Sequence, residues 1–142
     1  MLKVGVLGAG HLGKIHLRLL NQSEKYELVG FYDAFEENAN KVAAEFGYKK
    51  FDSIAELIAA VDVVDIVTPT MQHFECAKQV IEAGKHIFIE KPISNTVAEA
   101  EEIIALANKY NVKGQVGHVE RFNPAFTAVK DKINNPMFIE TH

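Results

Sequence analysis

The chain has 142 residues, of which 48% are hydrophobic and 24% charged, a composition that gives room for one domain with an adequate core. Its 15 Lys and Arg against 19 Asp and Glu leave a formal charge of −4, which argues against nucleic acid as a partner on bulk electrostatics. No stretch approaches the roughly 20 apolar residues that cross a bilayer, so no membrane partner is expected.

Strands and helices alternate along the chain. Val4, Val6 and Leu7 mark a first strand, entered directly from Met1, with no space for the charged and apolar parts of a signal peptide. The lone Cys76 cannot close an intramolecular disulfide and fits a reducing compartment, so the cytoplasm is expected; its place beside Phe74 and Ala77 predicts a buried, inert thiol. After the first strand, Leu12, Ile15, His16, Leu19 and Leu20 fall at i, i+3, i+4, i+7 and i+8, which predicts a helix with that face on a sheet. On this apolar face His16 reads as a satisfied core histidine. A second strand, Leu28 to Tyr32, leads to a helix from Phe35 to Phe46 with Ala39, Val42, Ala43 and Phe46 inward and Gly47 at its end.

Ser53-Ile54-Ala55-Glu56 and Thr96-Val97-Ala98-Glu99 have capping-box spacing and mark two further helix starts. Between them lie a mostly apolar strand from Val63 to Val67, of the kind buried on both faces of a parallel sheet, a helix from Met71 to Ala83 closed by Gly84, and a strand from His86 to Ile89. The helix opened by Thr96 runs to Lys109, with Val97, Ala100, Ile103, Ile104 and Ala107 on one side, and a strand from Lys113 to Val116 follows. Asn123-Pro124 begins a helix carrying Phe126, Val129 and Ile133, Asn134-Asn135-Pro136 stops it, and Met137 to His142 reads as the start of another strand. Repeated βα units predict an α/β Rossmann fold, a doubly wound parallel sheet with helices on both faces and ligands at the carboxyl ends of the strands.

The first strand is followed by Gly8-Ala9-Gly10-His11-Leu12-Gly13. This G-x-G-x-x-G string opens a helix and is answered by Asp33 at the end of the second strand, about 20 residues beyond Gly13, which together make a dinucleotide-binding unit. Gly8 permits the tight turn, Gly10 leaves room for a pyrophosphate, and Gly13 lets helix and strand approach. The N–H groups around His11 and Leu12 face the phosphates with the positive end of the helix. Asp33 accepts hydrogen bonds from the adenosine ribose and repels a 2′-phosphate, and neither Ala34 nor Phe35 is a cation that would neutralise it, so NAD is expected over NADP. The alternative is a glycine-rich turn that merely joins strand to helix.

Two more clusters stand at strand ends: Thr68-Pro69-Thr70 with His73 three residues on, and Glu90-Lys91-Pro92. With the glycine string, Asp33, the stretch Ala83-Gly84-Lys85-His86-Ile87-Phe88-Ile89-Glu90-Lys91-Pro92 and the run Gly117-His118-Val119-Glu120-Arg121-Phe122-Asn123-Pro124, this order resembles the Gfo/Idh/MocA oxidoreductase family over essentially the whole chain. The resemblance implies that Lys91 is catalytic, beside the nicotinamide and the substrate hydroxyl, with Glu90 orienting it or the nicotinamide end. Thr68 and Pro69 would pack under the cofactor, and His73 would reach the nicotinamide side or else face water in its first helical turn. Arg121 would approach the cofactor or an anionic substrate group, or form a structural salt bridge with Glu120 or another acid. A surface pair of Glu90 with Lys91 is the plain structural alternative at that motif. A cis Lys91–Pro92 bond is expected, since cis bonds are nearly confined to X-Pro. No metal is expected, because the histidines are scattered and no paired His or Cys spacing exists.

By the same resemblance, residues 1–122 form the dinucleotide-binding domain. Residues 123–142 form a linking helix and the start of a C-terminal α/β domain that would bring the proton-transferring histidine, its neighbouring aspartate and the surface for homo-oligomerisation. The implied function is NAD-dependent hydride transfer between the nicotinamide cofactor and a secondary alcohol of a sugar, nucleotide sugar or cyclic polyol. The Gly-His-x-Glu-Arg-Phe-Asn-Pro run is most similar to members acting on nucleotide sugars, such as UDP-N-acetylglucosamine 3-dehydrogenases. The isolated chain, lacking a base, is expected to be inactive. Two other readings stay open: a non-catalytic NAD-binding regulator or sensor on the same fold, which retention of Lys91 disfavours, and a bare interaction domain, which Asp33 disfavours.

Overall fold

Five parallel strands, β1 (Leu2–Leu7), β2 (Tyr26–Tyr32), β3 (Val63–Ile66), β4 (His86–Ile89) and β5 (Gly114–Val116), form one sheet in the order β2-β1-β3-β4-β5. The computed structural model describes residues 1–133 together with Phe138 and Glu140; the strand expected from Met137 to His142 and the stop at Asn134-Asn135-Pro136 lie outside the described residues. Among the described residues six helices connect or follow the strands: α1 (His11–Asn21), α2 (Glu36–Phe46), α3 (Ile54–Ala60), α4 (His73–Glu82), α5 (Val97–Lys109) and α6 (Pro124–Lys130).

Two apolar layers hold the sheet. Val6 and Phe31 on one face pack with Leu17 of α1 and with Ala39 and Val42 of α2. On the other face Leu7, Val64 and Ile66 pack with Leu57 of α3, Ala77 and Val80 of α4 and Ile103 of α5. The chain runs from β1 outward to β2 and then crosses back to β3 on the other side of β1. That reversal opens a crevice beyond the carboxyl ends of β1 and β3, where doubly wound sheets bind ligands.

Two predicted helix faces are rotated from expectation. In α1 the buried residues are Gly13 and Leu17, whereas Leu12 is 44% and Leu19 57% exposed. The cause lies at Gly13, where a side chain would overlap the Gly8 carbonyl oxygen. The line of closest approach therefore passes through Gly13, and Leu17 one turn on becomes the central contact. In α5 Ile103 is buried with Leu106 and Ala107 packed beside the core, while Val97 and Ile104 point to solvent.

The caps follow the sequence with one difference. Thr96 and Glu99 form the full reciprocal box, each side chain bonded to the other's backbone N–H at 3.3 and 3.0 Å. Ser53 accepts from the Glu56 N–H at 3.1 Å, but the Glu56 carboxylate reaches back to the N–H of Asp52, not Ser53. A 3-10 turn at Thr70–Gln72 takes the place of the expected first turn of α4. Helix α6 is capped by Asn123 Oδ1 and ends at Lys130, so Ile133 falls beyond it.

Candidate dinucleotide site

A cavity of about 720 Å³ occupies the crevice. One side is the glycine loop, with Gly8, Gly10, His11, Leu12 and Gly13; Asp33 stands at its end, and Thr68 and Pro69 form the opposite wall. Each glycine of the loop has its own reason. Gly8 has φ +94°, and a side chain there would lie 2.7 Å from the Val67 carbonyl oxygen, so only glycine passes between β1 and β3. Gly10, by contrast, has φ −66°, and a side chain built on it meets nothing within 4 Å. The space above Gly10 is a cradle that a Cβ would fill.

Gly10 is also the N-cap of α1 and offers no side-chain acceptor, and the first turn of the helix carries no acidic residue. The first N–H groups of α1 and its positive dipole end are thus left for an anion in the cavity, as a pyrophosphate requires.

Asp33 is held by the protein itself. Its Oδ2 accepts from Ala9 N at 2.8 Å and from Asn38 Nδ2 at 3.0 Å, and its Oδ1 accepts from Phe35 N at 2.8 Å. Asn38 Nδ2 also donates to the Ala9 carbonyl at 3.1 Å. Asn38 therefore ties the Asp33 carboxylate to the glycine loop, a role that sequence reading missed. Its only signal was a polar residue one position before the buried Ala39 of α2, and the contact exists only because α2 folds over the loop. The cavity lining contains Asp33 and Glu75 but neither Lys nor Arg among the described residues.

Four of the expected site residues do not line this cavity. His73 is 1% exposed, so it neither faces water nor reaches the cleft. Its Nδ1 lies 2.8 Å from the Pro92 carbonyl and its Nε2 2.9 Å from the Thr68 carbonyl. The first turn of α4 is drawn under the two loops, and the ring joins the cavity wall to the turn that bears Lys91. Glu90 is 8% exposed and lies on the far face of the sheet, which rules out a surface pair with Lys91. Lys91 is exposed at the carboxyl end of β4, and the Lys91–Pro92 bond is cis as expected. Arg121, in a 3-10 turn at Val119–Phe122, is exposed beside His118 and Phe126 in a separate hollow. Glu120 accepts from Asn123 Nδ2 at 2.8 Å in place of the expected pair with Arg121.

Cys76 is buried in the wall, and burial pushes its thiol up from the ordinary value, against the opposing pull of the Thr68 hydroxyl. That suits packing and not nucleophilic attack. On the other face of the sheet His16, Asp65 and Glu90 form a half-buried polar cluster: His16 Nδ1 lies 2.8 Å from Asp65 Oδ2, and Nε2 lies 3.5 Å from Glu90 Oε1. The hydrogen bond to Asp65 raises the His16 imidazole above its usual range, against desolvation, while burial raises the Asp65 carboxyl. No helix of the described residues is long and apolar enough to cross a membrane.

Comparison with known proteins agrees with this geometry. Inositol 2-dehydrogenase from Rhizobium meliloti is 34% identical over 94% of the chain. UDP-N-acetylglucosamine 3-dehydrogenase from Acidithiobacillus ferrooxidans is 36% identical over 98% of the chain and 44% of its own length. A crystal form of the latter superposes with a TM-score of 0.86 over 92% of this chain and 43% of that one. GenD2 from gentamicin A biosynthesis, solved in complex with NAD, superposes with a TM-score of 0.86 at 28% identity, over 92% of this chain and 38% of that one. The chain thus spans less than half the length of the relatives it matches. The family described as an oxidoreductase family with an NAD-binding Rossmann fold matches residues 2–118. This chain belongs to that family, Gfo/Idh/MocA.

Proposed function

We propose that the chain is the cofactor-binding part of an NAD-dependent oxidoreductase that oxidises a secondary alcohol of a sugar, nucleotide sugar or cyclic polyol to a ketone. In this reading residues 1–122 bind the dinucleotide, and residues 123–142 lead into a further substrate and oligomerisation domain. The observation that carries the reading is the built cradle: an open Gly10, an uncapped α1 N-terminus and an Asp33 already fixed by Ala9, Phe35 and Asn38. The family relatives named for sugar and inositol hydroxyl groups support the substrate class.

When bound, the nicotinamide supplies the hydride acceptor. The chain's own groups do the rest of what falls to this domain. The α1 N–H groups neutralise the pyrophosphate, and Asp33 accepts from the ribose hydroxyls. With two acids and neither Lys nor Arg in the lining among the described residues, the site disfavours an added 2′-phosphate, so NAD is preferred over NADP. Lys91, exposed at the end of β4 and joined through His73 to the Thr68 wall, presents an ammonium that polarises the reacting C–O group. The hydroxyl proton needs a base within hydrogen-bond reach, and that base belongs to the further domain. Arg121 is assigned to an anionic part of the substrate.

The test is NADH formation by the full-length protein that contains this chain, with UDP-N-acetylglucosamine and myo-inositol as substrates, alongside its Lys91→Ala variant. NAD reduction that is lost in Lys91→Ala supports the reading. Tight NAD binding with no turnover of any sugar or polyol would favour the regulatory alternative.

A further inference from the structure

Lys91 carries no hydrogen bond or ion pair from its own ammonium among the described residues, and its place is set by the backbone on either side. On the α4 face His73 fixes the Pro92 carbonyl. On the opposite face the Lys91 N–H donates to Glu90 Oε2 at 3.2 Å, so the Glu90 carboxylate fixes the other side of the residue. That carboxylate is confined in turn. A side chain at Gly117 would come within 2.6 Å of Glu90 Oε1, so the end of β5 presses against it with glycine alone. Across the hollow stands His16 of α1, with Nε2 3.5 Å from Glu90 Oε1.

His16 is itself oriented. Its Nδ1–H donates to Asp65 Oδ2 at 2.8 Å, and the Phe88 ring stands 6.1 Å away, tilted by 60°. Asp65 is 5% exposed, and its other oxygen, Oδ1, is buried with no hydrogen-bond partner among the described residues. A buried carboxylate with one protein donor is costly to keep in an apolar sheet face. A core filled only for stability would place an aliphatic residue there, as at Val6 on the same face. The arrangement is instead a directed chain: Asp65 sets the ring of His16, the protonated ring turns its Nε2–H toward Glu90 Oε1 at 3.5 Å and attracts that carboxylate, and Glu90 sets the backbone of Lys91.

We propose that His16 is a positioning residue for Lys91, acting through the Glu90 carboxylate and oriented by Asp65. The proposal rests on the catalytic reading of Lys91 only for its kinetic consequence; the mechanical coupling stands on this chain alone. The same linkage connects the helix that receives the pyrophosphate to the lysine, since α1 begins at His11 and carries His16 one and a half turns on. A displacement of α1 is therefore transmitted to the Lys91 backbone through one ring and one carboxylate.

The test has one arm on this chain and one on the full-length protein. In a pH titration followed by NMR, the His16 ring protons and the Lys91 amide are observed together. The charged or titratable groups that share this hollow with His16 are Asp65 on β3, Glu90 after β4 and Tyr26 on β2, so variants separate them. The Lys91 amide is expected to shift with the His16 midpoint. Asp65→Asn should lower both midpoints together, and Glu90→Gln should leave a His16 titration that the Lys91 amide no longer follows. A Lys91 amide indifferent to His16 titration in the unsubstituted chain overturns the proposal, whatever the variants do.

In the full-length protein, His16→Leu is expected to lower kcat by about 10- to 100-fold, the scale of a sub-ångström to 1 Å misplacement of a reacting group. NAD affinity should stay within about twofold, and His16→Asn, which keeps a donor toward Asp65, should recover part of kcat. Equal losses in NAD affinity and kcat, or no recovery by Asn, overturn positioning in favour of a general packing role. If Lys91→Ala leaves turnover intact, the catalytic reading of Lys91 falls instead, and the NMR coupling still decides the clamp.

Discussion

Two glycines of one loop are predicted to fail in opposite ways. At Gly10 the backbone is in a region open to any residue and a Cβ meets nothing within 4 Å. Gly10→Val should therefore keep the fold. Replacing Gly gains about 0.4–1 kcal/mol by restricting the unfolded chain, and the poorer N-cap offsets this by roughly 1 kcal/mol, leaving stability within about 1 kcal/mol of the parent. NAD binding should be lost, because the branched side chain fills the pyrophosphate cradle. At Gly13 the added carbon would overlap the Gly8 carbonyl oxygen, a backbone atom that cannot turn aside. Gly13→Ala must lift α1 from β1 and disturb Leu17, at a cost of about 1–3 kcal/mol or more, which is a fall of several degrees in Tm for a domain of this size, at roughly 4 °C per kcal/mol. Thermal unfolding with and without NAD, with calorimetric titration of the folded variants, reads both effects. A Gly10→Val protein that unfolds as early as Gly13→Ala, or that still binds NAD, would refute the distinction between a cradle and a turn.

Asp33→Asn should narrow the preference for NAD over NADP measured by calorimetry, since it removes the charge while keeping one acceptor for the Ala9 N–H; an unchanged ratio would show that Asp33 does not select the cofactor. Asn38→Ala should weaken NAD binding, because it removes one of the two donors that hold Asp33 Oδ2 and releases the Ala9 carbonyl; undiminished affinity, at a Tm equal to the parent's, would argue that Asp33 needs no such tether. The chain of residues 1–142 alone should bind NAD yet produce no NADH with sugars or polyols, since the proposed reading places the base in the further domain; steady turnover would send the search for the base back to His118, exposed beside Arg121. Stability should fall as pH rises past the ordinary histidine value of 6.5, because the folded state holds the His16 proton more tightly than the unfolded chain and loses that contribution as pH passes the raised folded value. The raised Asp65 carboxyl acts in the same direction above its ordinary 3.8. A Tm that rises through this range, or a pH slope unaltered in His16→Gln, contradicts the coupling.

The glycine loop and the cis turn at Pro92 are legible because each is a local backbone requirement written in adjacent residues, and Asp33 because it stands at the end of the strand that follows the loop's helix. Gly8 needs a positive φ and Gly13 a close approach whatever the rest of the chain does. The doubly wound parallel sheet is equally accessible, since βα alternation admits few connections. What escaped was everything decided by rotation and register. Whether His73 meets water or two carbonyls depends on where the 3-10 turn at Thr70–Gln72 leaves the first turn of α4. His16 was expected to be a satisfied core histidine, and it is satisfied, but by an aspartate 49 positions away. That meeting requires α1 to be rotated about Gly13 and β3 to lie beside β1 in register. Reading the third strand as mostly apolar passes over Asp65 for the same reason, and grouping Glu90 with the cofactor-binding residues misses that alternation past β4 turns its carboxylate toward α1, outside the cavity lining.

The central claim is that a nicotinamide dinucleotide lies across the carboxyl ends of β1 and β3. Amide chemical-shift mapping of isotope-labelled chain titrated with NAD tests it most directly. Saturable shifts are predicted at Gly8, Gly10, His11, Gly13, Asp33 and Thr68, with the edge of β5 at Gln115 unmoved. Shifts that instead gather around Tyr26, Phe88 and Gln115, or no saturable shift at all, would contradict the account.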